Sequence, residues 1–184
     1  MQPTSFFNIF YLTHLSKPHS DRLIYRAIIR GKARHILELG IADAKRALRM
    51  IDAATRFAPR AEIQYVGMDP FEDRNKTDGP GLTLITAHRV LKHSGARIKL
   101  IPGDPLENIR RLANNLGQFD LMIISPGFDS ERLKPVWFFV PRLLYERSLV
   151  FLERQQPDGV NALKVVSRRE IDQLAAKAIR WKAA

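Results

Sequence analysis

The chain has 184 residues, 45% of them hydrophobic, which is enough for one substantial core and short for two domains. It holds no cysteine, which excludes disulfides and thiolate-bound metals, and no run near the ~20 apolar residues a membrane-spanning helix needs. The formal net charge of +11 favours anionic partners, nucleic acid among them, yet the basic residues are spread along the chain as on solvated helix faces.

The opening run Phe6-Phe7-Asn8-Ile9-Phe10-Tyr11-Leu12 lacks a basic lead-in and a small-residue cleavage site. It reads as packing surface docked on the core rather than as a signal peptide. Ser20 caps a first predicted helix that ends at Gly31, with Leu23, Ile24, Ala27 and Ile28 as its apolar stripe. His35 to Leu39 is the first strand. Asp43 then caps a second helix, with Ala44, Ala47, Leu48, Ile51 and Ala54 at helical spacing, closed by Pro59. Ile63 to Met68 is the second strand.

A polar loop over 73–80 ends in Asp78-Gly79-Pro80. A helix marked by Leu82, Ile85, Val90 and Leu91 follows and stops near Ser94-Gly95. Arg97 to Ile101 is the third strand, and Leu106, Ile109, Leu112, Ala113 and Leu116 form the next helical face. Phe119 to Ile124 is a fourth strand, with the unbroken apolar end of a central parallel strand. A helix is expected around 133–146, disturbed by Pro141, with Trp137, Phe138 and Phe139 packing into the core. Ser148 to Leu152 is the fifth strand. The turn Pro157-Asp158-Gly159 leads to a short strand at Leu163 to Val166, and Ser167 with Glu170 fits a capping box for a last helix.

This alternation predicts an α/β fold of the Rossmann type, a doubly wound and mostly parallel sheet with helices on both faces. The expected division is one domain over 1–184: an N-terminal cap segment and helix (1–34), a core (35–153) and a C-terminal strand and helix (154–184). Ligands of such folds sit beyond the carboxyl ends of the strands.

The strand ends are Glu38-Leu39-Gly40-Ile41-Ala42-Asp43, then Gly67-Met68-Asp69-Pro70-Phe71-Glu72, then Pro102-Gly103-Asp104-Pro105-Leu106-Glu107, then Ile124-Ser125-Pro126-Gly127-Phe128. Gly40 lets backbone approach a ligand at a helix N-terminus, and Asp69 is placed to accept ribose hydroxyls. Asp69 and Asp104 also fit local caps, each followed by Pro and, three residues on, by Glu. Ser125 is a neutral hydrogen bonder that fits a strand-ending Ser-Pro turn equally well.

In order and spacing, these stretches over residues 20 to 153 resemble the class I S-adenosylmethionine-dependent methyltransferases, and look closest to small-molecule O-methyltransferase-like domains. The resemblance implies S-adenosylmethionine as cofactor. Glu38 and Gly40 would border its methionine part, Asp69 its ribose and Asp104 its adenine, with Ser125 beside the methyl-transfer centre. Tyr25 and Lys17-Pro18-His19 would help cover the site.

The sequence departs from the family at Ala42 and Ala44, where further glycines are usual. It departs again at Ser125, where metal-dependent relatives carry an acidic ligand. Asp129 and Glu153 make only an isolated pair, so the expected chemistry is methyl transfer to a small-molecule acceptor without a metal. No general base is evident: His88 and His93 lie on a predicted helix, His19 on a loop. The closing hairpin of the family is shortened, which leaves the C-terminal helix as a homodimer surface. The alternatives are an RNA methyltransferase, for which Ser125-Pro126-Gly127-Phe128 loosely resembles the Asn-Pro-Pro-aromatic turn of amino-methylating enzymes, and a non-catalytic binding or assembly protein. The cysteine-free sequence fits the cytoplasm.

Overall fold

The computed structural model describes residues 9–74, 81–128, 130–155 and 161–182. Phe6, Phe7, Asp129, the Asp78-Gly79-Pro80 turn and the Pro157-Asp158-Gly159 turn lie outside them.

The elements run α1 (Asp21–Gly31), β1 (His35–Leu39), α2 (Lys45–Ala54), β2 (Gln64–Asp69), α3 (Leu84–Lys92), β3 (Arg97–Pro102), α4 (Pro105–Leu112), β4 (Phe119–Ile124), α5 (Ser130–Leu133), β5 (Leu144–Gln155), β6 (Asn161–Val166) and α6 (Arg168–Lys182). The six strands form one sheet in the order β3-β2-β1-β4-β5-β6. The first five are parallel, and β6 pairs antiparallel with β5 at the edge. The doubly wound, Rossmann-like architecture expected from the alternation is the one observed. The chain winds outward from β1 to β3 and then returns to β4, so the crevice of the sheet opens between β1 and β4.

Strand periodicity divides the core in two. Ile36, Tyr65, Leu121, Ile123 and Phe151 face α1, α2 and α3. Leu37, Leu39, Val66, Met122 and Val150 face α4, α6 and the segment between β4 and β5. Every side chain here named is at most 2% exposed. No helix among the described residues is long and apolar enough to cross a membrane.

Four local expectations need correction. The stretch 133–146 is not one helix. It is the short α5 followed by two 3-10 segments, Lys134–Phe138 and Val140–Leu143, each with a proline near its start, and β5 begins at Leu144. Pro135 and Pro141 lack the N–H that a continuous α-helix needs, so the chain turns in short pieces. On α1 the buried stripe is Asp21, Ile24, Tyr25 and Ile28, while Leu23 is 48% exposed. Phe10 and Tyr11 stand exposed at the start of a single π-helical turn, Tyr11–Leu15, whose buried residues are Leu12 and Thr13. Asp43 is not the cap residue of α2. Ala44 holds that place at φ 61°, and Asp43 Oδ1 accepts from Lys45 N at 3.1 Å.

Candidate functional site

The same periodicity sets the site. On the face that packs α1–α3, Glu38 comes two residues beyond Ile36 on β1, Asp69 four beyond Tyr65 on β2, Ser125 two beyond Ile123 after β4 and Glu153 two beyond Phe151 on β5. Four polar side chains therefore converge on one face at the carboxyl ends of the strands. All are buried, from 0% exposed at Glu38 to 8% at Ser125.

Gly40 and Ser125 close the crevice between β1 and β4. Gly40 N donates to Met68 O at 2.8 Å and Ser125 N to Leu39 O at 3.0 Å, so the ladders run on past the strands. Ser125 Oγ then donates to Gly40 O at 2.8 Å. Gly40 has φ +86°, and a Cβ there would stand 2.9 Å from Ser125 Cβ, so both the backbone and the space require glycine.

The loop that follows is held by Asp69. Its Oδ2 accepts from Ile41 N at 2.8 Å and Ala42 N at 3.3 Å, and its Oδ1 from Phe71 N at 2.9 Å. Arg74 pairs with the same carboxylate. Thus clamped, the loop puts Ala42 at φ 53° and Ala44 at φ 61°. The backbone takes the left-handed turns that glycine would ease, at a cost of roughly 1 kcal/mol per alanine.

Arg46, from the first turn of α2, stands at the centre. Its Nε donates to Glu38 Oε1 at 2.7 Å, its Nη1 to Glu153 Oε2 at 2.7 Å and its Nη2 to Ser125 Oγ. Beneath it, Tyr65 donates its hydroxyl proton to Glu38 Oε2 at 2.5 Å. Burial pushes the Glu38 carboxyl above its ordinary value, opposed by Arg46 and by the Tyr65 hydroxyl. Burial also raises Tyr65, and the Glu38 charge adds to it.

Asp21, on the buried stripe of α1, completes the group. It is 3% exposed. Tyr25 donates to its Oδ2 at a long 3.4 Å, whereas Oδ1 has no hydrogen-bond donor and lies 3.7 Å from Arg46 Nη1. Burial raises its pKa, Arg46 opposes the rise, and the Glu153 charge adds to it. Asp21, Gly40, Arg46, Ser125 and Glu153 line a cavity of about 790 Å³, with Lys17 and Pro18 at its mouth. That volume suits a cofactor-sized ligand.

Of the residues singled out from sequence, Gly40 and Ser125 line this cavity. Glu38 supports it through Arg46, and Asp69 supports it through the loop. Asp104 stands apart at the end of β3. Its Oδ1 caps α4, accepting from Leu106 N at 2.8 Å and Glu107 N at 3.2 Å, and its other oxygen pairs with Arg132. Its pKa is lowered: partial burial opposes the shift, and Arg132 and the two N–H donors outweigh it. Tyr25 is fully buried behind Asp21, and His19 is exposed.

Sequence reasoning missed Arg46 and Asp21, and named Glu153 only as half of an isolated acidic pair with Asp129. A signal existed for Asp21 and for Glu153. Asp21 sits at position i of the stripe Ile24, Tyr25, Ile28, and Glu153 continues the inward alternation Leu149, Phe151. Among the described residues no group of three or more His, Asp or Glu side chains gathers as a metal site.

No protein-family model matches the chain, and no curated protein is recognisably similar in sequence. Solved structures are similar in fold. The O-methyltransferase from Bacillus cereus in complex with SAH is 12% identical, with a TM-score of 0.55 over 97% of this chain and 80% of that one. TomG, the O-methyltransferase of tomaymycin synthesis from Streptomyces achromogenes in complex with SAM, is 14% identical, with a TM-score of 0.55 over 92% of this chain and 69% of that one. A SAM-dependent methyltransferase from Agrobacterium tumefaciens is 13% identical at a TM-score of 0.53, covering 86% and 48%. The fold is that of the class I methyltransferases, as the strand-end motifs suggested.

Proposed function

We propose that the chain is an S-adenosylmethionine-dependent methyltransferase acting on a small-molecule acceptor without a catalytic metal. The observation that carries this reading is the cavity of about 790 Å³ under Gly40 and Ser125, at the crevice between β1 and β4. Neighbours of the same fold are described with SAM or SAH bound.

In this reading Gly40 and Ser125 border the methionine part of the cofactor, and Glu38 holds Arg46 in place behind them. Asp69 would hold the ribose hydroxyls in place of the Arg74 guanidinium, and Asp104 would be the residue toward the adenine. The cofactor supplies a methyl group already activated on sulfur. The protein has then to align the acceptor and accept its proton. Asp21 Oδ1, buried and without a donor, is the oxygen we assign to that proton. Asp21 Oδ1 would receive the proton that the acceptor gives up on methylation. Burial holds this carboxyl above its ordinary value, closer to the working pH at which a base is most effective.

Metal independence is supported by Arg46, whose guanidinium supplies the positive charge that Glu38 and Glu153 call for. A phosphate-bearing acceptor such as RNA is the second reading, favoured by Lys17, Lys45 and Arg49 around the mouth. The cysteine-free sequence supports a cytoplasmic location, and exposed Ile179 on α6 supports a homodimer through that helix.

The test is SAH release with S-adenosylmethionine and a panel of phenols, carboxylic acids, amines and short RNAs. Turnover with a small molecule, reduced about a hundredfold or more by Asp21→Asn, is expected. Turnover with RNA alone would replace the first reading by the second. Cofactor binding without SAH release from any acceptor would favour a binding protein.

A further inference from the structure

A second cavity, of about 320 Å³, lies on the opposite face of the sheet. Three walls build it. Leu152 and Arg154 of β5 point away from the Glu153 face, and Leu152 pairs across the ladder with Lys164 of β6, which continues to Val166. Ser130, Leu133, Lys134 and Trp137 come from the segment between β4 and β5, at spacings of three, four and seven. Glu170, Leu174 and Lys177 come from α6 at the corresponding spacing. The floor is apolar: Leu133, Trp137, Leu152 and Val166 are each at most 6% exposed.

The rim is basic. Lys134, Arg154, Lys164 and Lys177 surround the floor. Lys164 is paired with Glu170 and Lys134 with Glu131. Arg154 and Lys177 meet no acid among the described residues. A flat indole and aliphatic floor under two cations that meet no acid among the described residues fits a ligand with an apolar body and one anionic end. A neutral apolar ligand would leave Arg154 and Lys177 without a counter-charge. A polyanion would find on the floor no donor beyond the single indole N–H of Trp137.

We propose that this cavity is a binding site for a small aryl or alkyl carboxylate, with its apolar body against Trp137 and its carboxylate between Arg154 and Lys177. The site is separate from the cavity at Gly40 and does not depend on the methyltransferase reading. The two cavities lie on either side of β5, where Glu153 faces one and Arg154 the other.

Cinnamate is a suitable probe, with cinnamamide as the neutral molecule of the same shape. Binding is read by calorimetry and by the shift of the Trp137 indole N–H resonance, assigned by its loss in Trp137→Phe. Saturable sub-millimolar binding of cinnamate that moves this resonance is expected. Cinnamamide and the double variant Arg154→Glu/Lys177→Glu are expected to bind roughly tenfold weaker or less, the scale of two partly exposed charges. The double variant changes exposed side chains only, and an unchanged thermal melt verifies its fold. Equal binding of the acid and the amide, undiminished binding by the double variant, an indole resonance that does not move, or no saturation below several millimolar would each overturn the proposal. None of these readouts requires S-adenosylmethionine to bind.

Discussion

The Arg46 guanidinium lies 3.7 Å from Asp21 Oδ1, beyond hydrogen-bonding distance, because its donors are turned to Glu38, Glu153 and Ser125. One cation therefore faces three buried carboxylates, and Asp21 Oδ1 is the carboxylate oxygen left without a donor, the other accepting only a long bond from Tyr25.

Asp21→Asn should stabilise the protein at neutral pH by about 1–2 kcal/mol, since it removes a buried and poorly paired charge. The folded pKa of Asp21 is raised above its unfolded value, so the native state binds the proton more tightly. The native protein then loses stability as pH rises from about 4 through the raised value. The advantage of the variant should appear over that window and vanish below it, which urea unfolding at a series of pH values would read. A variant that is more stable yet inactive fits a strained active-site base. A destabilised variant at neutral pH would contradict this account of Asp21.

Arg46→Met should cost about 3–5 kcal/mol, because Glu38 and Glu153 stay buried without their cation. Arg46→Lys should recover only part of that loss, since an ammonium cannot reach three partners in the directions a guanidinium does. Denaturant midpoints of the two variants against the parent would measure both.

Ala42→Gly should stabilise by about 0.5–1 kcal/mol. Ala42 is exposed and left-handed, so the change relieves strain and loses little packing. A rise of roughly 1–4 °C in the thermal midpoint is expected for a chain of this size. No rise would mean that the loop relaxes out of the left-handed region.

Much of this was readable in the sequence. β1 and β4 span His35–Leu39 and Phe119–Ile124 as expected, because strands buried on both faces leave little room for another pattern. The 133–146 stretch failed because its apolar spacing is helical while Pro135 and Pro141 forbid a continuous helix. Gly40, Asp69 and Ser125 were visible as strand-end residues. The work done by Asp69 was not, since a clamp on the N–H groups of Ile41 and Ala42 depends on a register 28 residues apart. Arg46 was hidden among exposed helix charges, and its role appears only when Glu38 and Glu153 are brought to the same face.

The central claim is that the cavity between β1 and β4 holds S-adenosylmethionine. Calorimetric titration of the purified protein with S-adenosylmethionine and S-adenosylhomocysteine tests it most directly, beside Asp69→Asn, whose fold is checked by circular dichroism. The account predicts micromolar binding of both, weakened about tenfold or more in the variant, which loses the charge that holds Arg74 and the loop at Ile41. Absence of binding by either ligand at millimolar concentration would contradict it, and the Arg46 cluster would then stand as the filling of a cavity that no longer takes the cofactor.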